Sequence, residues 1–584
     1  MNYGAAFDVR VPMRDGTELS TNIWRPETDE PLPVLLARTP YDKEKAGLES
    51  GLMPTLYGML RGGYAVVIQD CRGTVGSDGV FVPHMDDASD GADTVAWLAE
   101  QEWCDGSVGM FGASYLGMVQ LLAASSKPPA LKAIAPMMTS ADLYAAPWRS
   151  RGGALSLDTV LGWATLMALG KAQRDLAQGR AVVEDLAALA ARVADRSLRN
   201  EHTPVADQPL ISAHLPWMVD AAIGRPDRDQ SWRDLSALEQ VATLTTPALH
   251  IGGWYDLFIG ETLRDFTTMK AGAGTAEARE GQRLIVGPWS HMPVGHVGFF
   301  PDRDFGMAAG TDATALGEQQ IAFFDHWLKG KGKGKQDAPE GRRPVRLFVM
   351  GIDQWRDEPD WPLPDTDYRA YYLEGDGPAN SAAGAGRLST AEPTGDFVDT
   401  YLYDPRRPVP SLGGTLMSLT GYDGPADQRP LHDRDDVLVF TTEVLEEPVE
   451  VTGPVSARLF VSSSAVDTDF TAKLLDVHPD GRAIVLCDGI LRMRYREGLD
   501  APRLMTPGEV YEVEVDLIAT ANVFLAGHRI MVEISSSNFP RYDRNSNTGG
   551  IIAQEHLSDM VAAVNQVHRG AEYPSRIVLP VVQR

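Results

Sequence analysis

Two short runs, PVLLART (33–39) and YAVVIQD (64–70), are apolar without alternation. A strand with one wet face alternates apolar and polar residues. An unbroken apolar strand needs cover on both faces, which parallel sheets between helix layers supply. The run DDASDGADTVAWLAEQ (86–101) lies between them and the next strand signals, with acids early and apolar residues at helical spacing later, so it reads as a helix. FDVRVPM and TELSTNIWRP flank Arg14-Asp15-Gly16 as a hairpin would, and LKAIAPMM (131–138) adds a further strand. Strand–helix alternation of this kind implies an α/β domain with a mostly parallel sheet.

The pattern changes twice along the 584 residues. From about 142 to 240, stretches such as LSLDTVLGWATLMAL and AVVEDLAALAARVADRSLRN carry Ala and Leu at helical spacing with no strand alternation. Strands return at PALHIGGW (247–254) and RLIVGPWSH (283–291). The helix IAFFDHWLKG (321–330) follows, and KGKGKGKQ reads as a flexible exit from it. Beyond about 345 nearly every segment is a strand, including VRLFVMG, VSARLFVSSS, DFTAKLLDV and HRIMVEISSS, separated by turns such as HPDGR. A jelly-roll sandwich fits that spacing. The expected organisation is an α/β core at 1–141 and 244–344, a helical cap inserted at 142–243, and a β domain at 345–584.

Charge and cysteine content narrow the function classes. A net charge of -27 repels phosphate backbones and anionic lipid, which argues against nucleic-acid and membrane partners. Cys71, Cys104 and Cys487 are few, odd in number and far apart. They suggest neither a disulfide framework nor a metal site. DRDF (302–305) and DRDD (433–436) lack the spacing of an EF-hand loop and read as solvated acidic loops. The start of the chain shows no signal-peptide pattern, and no apolar run reaches the roughly 18 to 20 residues of a membrane span. The expected compartment is the cytoplasm.

GMFGASYLGMVQ (109–120) sets a lone hydroxyl, Ser114, between a strand pattern and a helix pattern. A serine is a weak nucleophile unless a base takes its proton, and it must be lifted clear of the sheet by a sharp turn. In this fold the acid and then the histidine follow in chain order, from loops at strand C-termini. Among 12 histidines, His250 lies inside a strand run and reads as a core residue, whereas His291 directly follows RLIVGPWS. Asp256 follows PALHIGGWY in the same way, and Glu261 is placed to open the next helix. The sequence therefore predicts Ser114, Asp256 and His291 as nucleophile, orienting acid and base.

Gly117 comes one step later than in the common Gly-x-Ser-x-Gly pattern. The motif Gly112-x-Ser114-Tyr115-x-Gly117 resembles that of the cocaine esterase/X-Pro dipeptidyl-peptidase group of α/β-hydrolases. RTPYDK, VVIQDCRGTVGSDG, GGWYDLF and VGPWSH are similar to its other signatures, as are LFVMGIDQWRDEPDWPLPDT and SSNFPRYDRNSNTGG. The resemblance implies an α/β-hydrolase core with a helical cap insertion and a C-terminal jelly-roll β-sandwich domain. It implies the same triad, with an oxyanion hole made by the Tyr41 hydroxyl and the Tyr115 backbone N–H. It also implies an apolar acyl pocket of Trp148, Trp163 and Leu166 from the cap, Phe258 from the loop after Asp256, and Met417 from the β domain. The sequence departs from the family's cocaine esterases at Met417-Ser418, where they carry an apolar-aromatic pair, and at Leu52, where they carry a polar residue. The implied activity is serine carboxylester hydrolysis of small esters with an aromatic or apolar acyl group, without metal or organic cofactor, in a homodimer. Two other readings remain. An α-amino-ester hydrolase or X-Pro peptidase of the same fold needs carboxylates for a substrate ammonium, but Phe258 and Ile259 stand where the amino-ester branch has acids. A non-catalytic glycan-binding scaffold conflicts with an intact triad.

Overall fold

Burial on both faces organises the first half of the chain as its apolar runs require. The computed structural model describes residues 2–45, 51–180, 182–330, 343–417 and 423–584. The N-terminal strands are β1 (Tyr3–Pro12), β2 (Glu18–Pro26), β3 (Leu32–Thr39), β4 (Ala65–Asp70), β5 (Cys104–Ala113) and β6 (Leu131–Met137). β7 (Leu249–Tyr255) and β8 (Arg283–Ser290) resume the sheet after the helical stretch. Among the described residues the sheet runs β1-β2-β4-β3-β5-β6-β7-β8, then Val345–Val349 and Gln354–Glu358. β1 and β2 form the antiparallel hairpin read around Arg14-Asp15-Gly16. From β4 to β8 every neighbouring pair is parallel. Parallel strands put all their C-terminal ends on one edge, where ligands of open α/β sheets bind.

Helix α1 (Leu56–Arg61) leads into β4, and α2 (Asp87–Ala99) precedes β5. Helix α3 (Tyr115–Ser125) packs on β5 and β6 through a fully buried amide. Gln120 donates to the Gly112 and Leu116 carbonyls at 3.1 and 2.9 Å and accepts from the Ala135 N–H at 3.0 Å. Every polar atom of that side chain has a partner, so its burial fixes the strand–helix register without a desolvation penalty. The long α4 (Leu157–Ala177) follows, with shorter helical pieces up to Thr243, before β7 begins.

The C-terminal part is a large, predominantly antiparallel β structure. Its central strand, Val449–Ser463, pairs with Tyr511–Phe524, Ala563–Gly570 and Arg576–Val582. It shares one apolar core with the N-terminal sheet: Trp254 and Phe266 pack in the same cluster as Leu486, Leu517 and Met350. Arg151 clamps the junction, bonding Glu261 at 2.8 Å, Asp516 at 3.0 Å and the Gly260 carbonyl at 2.6 Å. Gly152 lies so near the β domain that a Cβ there would sit 1.9 Å from the Ile490 oxygen. No described helix is long and apolar enough to cross a membrane. The Lys/Gly run after the helix Leu316–Leu328 lies mostly outside the described residues, as does Ser418.

His250 is a core residue of β7, 2% exposed, with Nε2 paired to Gln282 at 2.8 Å. Burial pushes its pKa from 6.5 down to about 4. The folded protein thus binds this proton less readily than the unfolded chain. Its contribution to stability is complete above pH 6.5 and is lost as pH falls toward 4. At pH 5 one such group costs about 2 kcal/mol. The melting temperature should therefore drop between pH 7 and pH 5, and less so in His250→Gln, measured by circular dichroism. An equal drop in both proteins would contradict this source of acid sensitivity.

Candidate active site

Ser114 stands between β5 and α3 with φ 61° and ψ -123°. A non-glycine residue pays for that backbone, and it persists only where its surroundings hold it. Two contacts do so. The Ser114 N–H donates to the Met137 carbonyl at 2.9 Å, at the end of the neighbouring strand. The Thr139 hydroxyl donates to the Ser114 carbonyl at 2.8 Å. The glycines on either side make the turn fit. Gly112 has φ 133°, and a Cβ there would meet Leu116 Cβ at 2.5 Å. Gly117 faces Thr139, whose Cβ and Cγ2 would be 2.6 Å from an added methyl. The later glycine of the motif is thus the one α3 needs to press against Thr139, while Leu116 fills the space over Gly112.

The three predicted triad side chains converge across 177 residues of chain. Asp256 follows β7 and is fully buried; His291 follows β8. Asp256 Oδ1 lies 2.7 Å from His291 Nδ1, and His291 Nε2 lies 3.2 Å from Ser114 Oγ. A carboxylate only accepts, so Nδ1 carries the ring proton and Nε2 is free to take one from the serine. The second carboxylate oxygen accepts the Phe258 N–H at 3.1 Å, which fixes the acid's rotation. Glu261 opens the helix Ile259–Gly272 as read from sequence, and is held by Arg151 and Arg264.

Tyr41 and Tyr115 flank the serine. The Trp163 indole donates to the Tyr41 hydroxyl at 2.9 Å. That occupies an acceptor site on the phenol oxygen and leaves its proton available, with Ser114 the other side chain beside the hydroxyl. Although 39% of Tyr41 is exposed, its hydroxyl end faces the cavity, and burial pushes its pKa from 10 up to about 12. It remains a proton donor at any pH the protein meets. Tyr115 heads α3, where the first backbone N–H groups have no acceptor within the helix.

A narrow cavity opens on Ser114 and His291. Trp148, Trp163, Phe258 and Met417 line it, and no carboxylate is among its lining residues. Phe258 packs on the His291 ring with centroids 5.4 Å apart. Leu166 does not belong to this set. The cavity meets the start of α4 at Thr159 and Trp163. Leu166 lies about 4.5 Å further along the helix axis and is 37% exposed. Leu52 is also elsewhere, buried in the core behind the sheet. Sequence reasoning missed His84, which is 1% exposed and lines the cavity. It lies in a loop without strand or helix periodicity, and its one local sign is its position just before the acidic start of α2. Among the described residues one group has metal-ligand spacing, Asp476, His478 and His528. Asp476 and His528 already bond each other at 2.7 Å, and the group lines a different cavity.

Comparison with known proteins gives relatives for this geometry. Residues 15–293 match the family model of the X-Pro dipeptidyl-peptidase (S15 family), and residues 338–578 match its C-terminal non-catalytic domain. The chain is 55% identical to the cocaine esterase of Rhodococcus sp. (strain MB1 Bresler), over 100% of this chain and 99% of that protein. An aminopeptidase from a marine sediment archaeon (Thaumarchaeota archaeon) superposes with a TM-score of 0.80 at 26% identity, covering 100% of this chain and 97% of its own. An α-amino acid ester hydrolase does so with the same score and identity, covering 99% and 96%.

The fit of Gly117 against Thr139 predicts the outcome of one substitution. Gly117→Ala should cost about 1 to 3 kcal/mol and lower turnover, because Thr139 holds the serine carbonyl. Thr139→Gly in the same chain removes the clashing atoms and should restore part of the stability in a denaturant-unfolding cycle. If Gly117→Ala unfolds at the wild-type midpoint, the packing argument is wrong.

Proposed function

The chain belongs to the X-Pro dipeptidyl-peptidase (S15) family of serine hydrolases, and from that premise we propose that it is a carboxylesterase for small esters with an aromatic, benzoyl-type acyl group. Ser114 Oγ attacks the ester carbonyl as its proton passes to His291 Nε2. Asp256 holds the imidazole in the right tautomer and stabilises the imidazolium. Charge developing on the carbonyl oxygen is met by the Tyr41 hydroxyl and the Tyr115 N–H. Collapse of the tetrahedral intermediate breaks the bond to the alcohol, which leaves with the proton from His291. Water then attacks the acyl-enzyme by the same relay and releases the acid. The chemistry is complete with these side chains.

The observation that carries the acyl preference is the cavity wall: Trp148, Trp163, Phe258 and Met417 without a carboxylate. A phenyl ring buried there gains about 2 to 3 kcal/mol by area. A substrate α-ammonium would lose its hydration without a counter-charge, since the nearby Glu261 is neutralised by two arginines. The aminoacyl reading draws its support from the two relatives at 26% identity, and the wall weighs against it. The name of the Rhodococcus relative, matched at 55% identity, supports the ester side.

The remaining parts of the proposal follow from the same residues. We divide the chain into a hydrolase core (1–141 and 244–344), a cap (142–243) and a jelly-roll domain (345–584) that contributes Met417 to the pocket. The three cysteines are buried and unpaired, which suits a reducing cytoplasm. The acidic surface suits a small-molecule substrate and neither nucleic acid nor membrane. The homodimer rests on family resemblance alone.

A panel of esters of one alcohol tests the preference. Benzoyl esters should exceed acetyl and aminoacyl esters by roughly thirtyfold or more in kcat/KM. Phe258→Ala should shrink the benzoyl-to-acetyl ratio. Best turnover of aminoacyl esters or X-Pro amides would overturn the reading in favour of the peptidase branch.

A further inference from the structure

The acyl cavity contains polar groups that an unsubstituted phenyl ring leaves idle. His84 is 1% exposed, yet neither ring nitrogen has a hydrogen-bond partner among the described residues, and the same holds for Nε1 of the buried Trp148. Both side chains line the cavity over Ser114, and their rings lie 6.1 Å apart. Buried polar groups are almost always bonded. Two adjacent exceptions in a substrate cavity need a physical reason.

His84 is also held in place at a cost. Its backbone has φ 69°, a region that non-glycine residues occupy mainly where the surroundings impose it. Here its N–H donates to the Tyr115 hydroxyl at 3.1 Å, and that hydroxyl donates to Asp87 at 2.7 Å. The imidazole stacks on the Tyr115 ring with centroids 4.5 Å apart and planes 23° from parallel. The residue that follows the serine therefore also fixes the histidine. One ring face is held by this stack while both ring nitrogens stay unbonded. Burial lowers the imidazole pKa to about 3, so the ring stays neutral and offers one donor and one acceptor together.

We propose that His84 and the Trp148 indole N–H form a polar subsite inside the acyl pocket, and that it takes a hydroxyl on the aromatic ring of the acyl group. The inference rests on the esterase reading and names its substrate class: esters of hydroxybenzoic acids. A phenolic hydroxyl matches the set. It donates its proton to the unprotonated ring nitrogen and accepts from the indole N–H. A ring bearing hydrogen at that position leaves these groups unpaired, as they are among the described residues of the structure. Sites built to bond a hydroxyl discriminate strongly against analogues that lack it, because the protein's own buried groups then go unsatisfied.

The test compares esters of one alcohol carrying benzoyl, methoxybenzoyl and hydroxybenzoyl groups, the last two in the 3- and 4-positions. Methoxy and hydroxy substituents have similar electronic effects, but only hydroxy donates a proton. In the wild-type protein one hydroxybenzoyl ester should exceed its methoxy partner and the benzoyl ester by about tenfold in kcat/KM. In His84→Phe that hydroxy-to-methoxy ratio should collapse to about one, and His84→Gln should keep part of it. Calorimetry of hydroxybenzamide and benzamide binding to Ser114→Ala provides a readout free of turnover, with the hydroxyl compound expected to bind more tightly. Equal wild-type rates across the series with equal amide binding would overturn the subsite, as would an unchanged ratio in a folded His84→Phe protein. No turnover of any aromatic ester, with hydroxybenzamide still preferred in binding, would instead sink the esterase reading and leave the subsite standing.

Discussion

One strained residue organises the active site. Ser114 sits at φ 61°, and the sheet and helix around it are built to keep it there. Its N–H is bound by the strand next door and its carbonyl by Thr139. Glycine at 112 and 117 lets Leu116 and Thr139 close on the turn, and Gln120 ties the helix to both strands. Relaxing the turn would swing the hydroxyl away from His291 Nε2. It would also shift the Tyr115 N–H at the head of α3. Local strain of this kind persists because many packed contacts over-determine it.

The parallel sheet supplies the second requirement. Ser114, Asp256 and His291 come from the ends of β5, β7 and β8, and all three ends lie on one edge. The cap and the β domain then convert that open edge into a walled cleft. Trp148 and Trp163 come from the inserted helical stretch, and Met417 comes from the C-terminal part. The Arg151 clamp and the shared core around Trp254 fix those walls relative to the triad. Exclusion of water strengthens each charge–dipole contact at the serine. A β domain that carries none of the triad can thus shape the reaction through one side chain and a rigid interface.

The legible parts of the sequence were those whose meaning is local. The parallel strands announced themselves by unbroken apolar runs. Ser114, Asp256 and His291 could be found because each ends a strand pattern, in a fixed chain order. Tyr41 was different: the oxyanion role proposed for it draws on a tryptophan 122 residues away, and the residues around it describe only a packed tyrosine. Family resemblance supplied that assignment, and it also supplied Leu166, which the structure leaves out of the cavity. Helical spacing says which face of α4 a residue occupies, but not how far along the axis the cavity extends. His84 was invisible for a related reason. Its unusual backbone is imposed by Tyr115 and Asp87, and its unbonded nitrogens are a property of the assembled cavity.

The central claim is that Ser114 carries the acyl group between two half-reactions driven by His291. Intact-mass spectrometry and peptide mapping of protein quenched in acid during turnover of a benzoyl ester test it most directly. The account predicts a single adduct, one benzoyl group in place of a hydrogen, located on Ser114 and absent from Ser114→Ala. Turnover with no such adduct under rapid quench, or an adduct on another residue that survives Ser114→Ala, would contradict it.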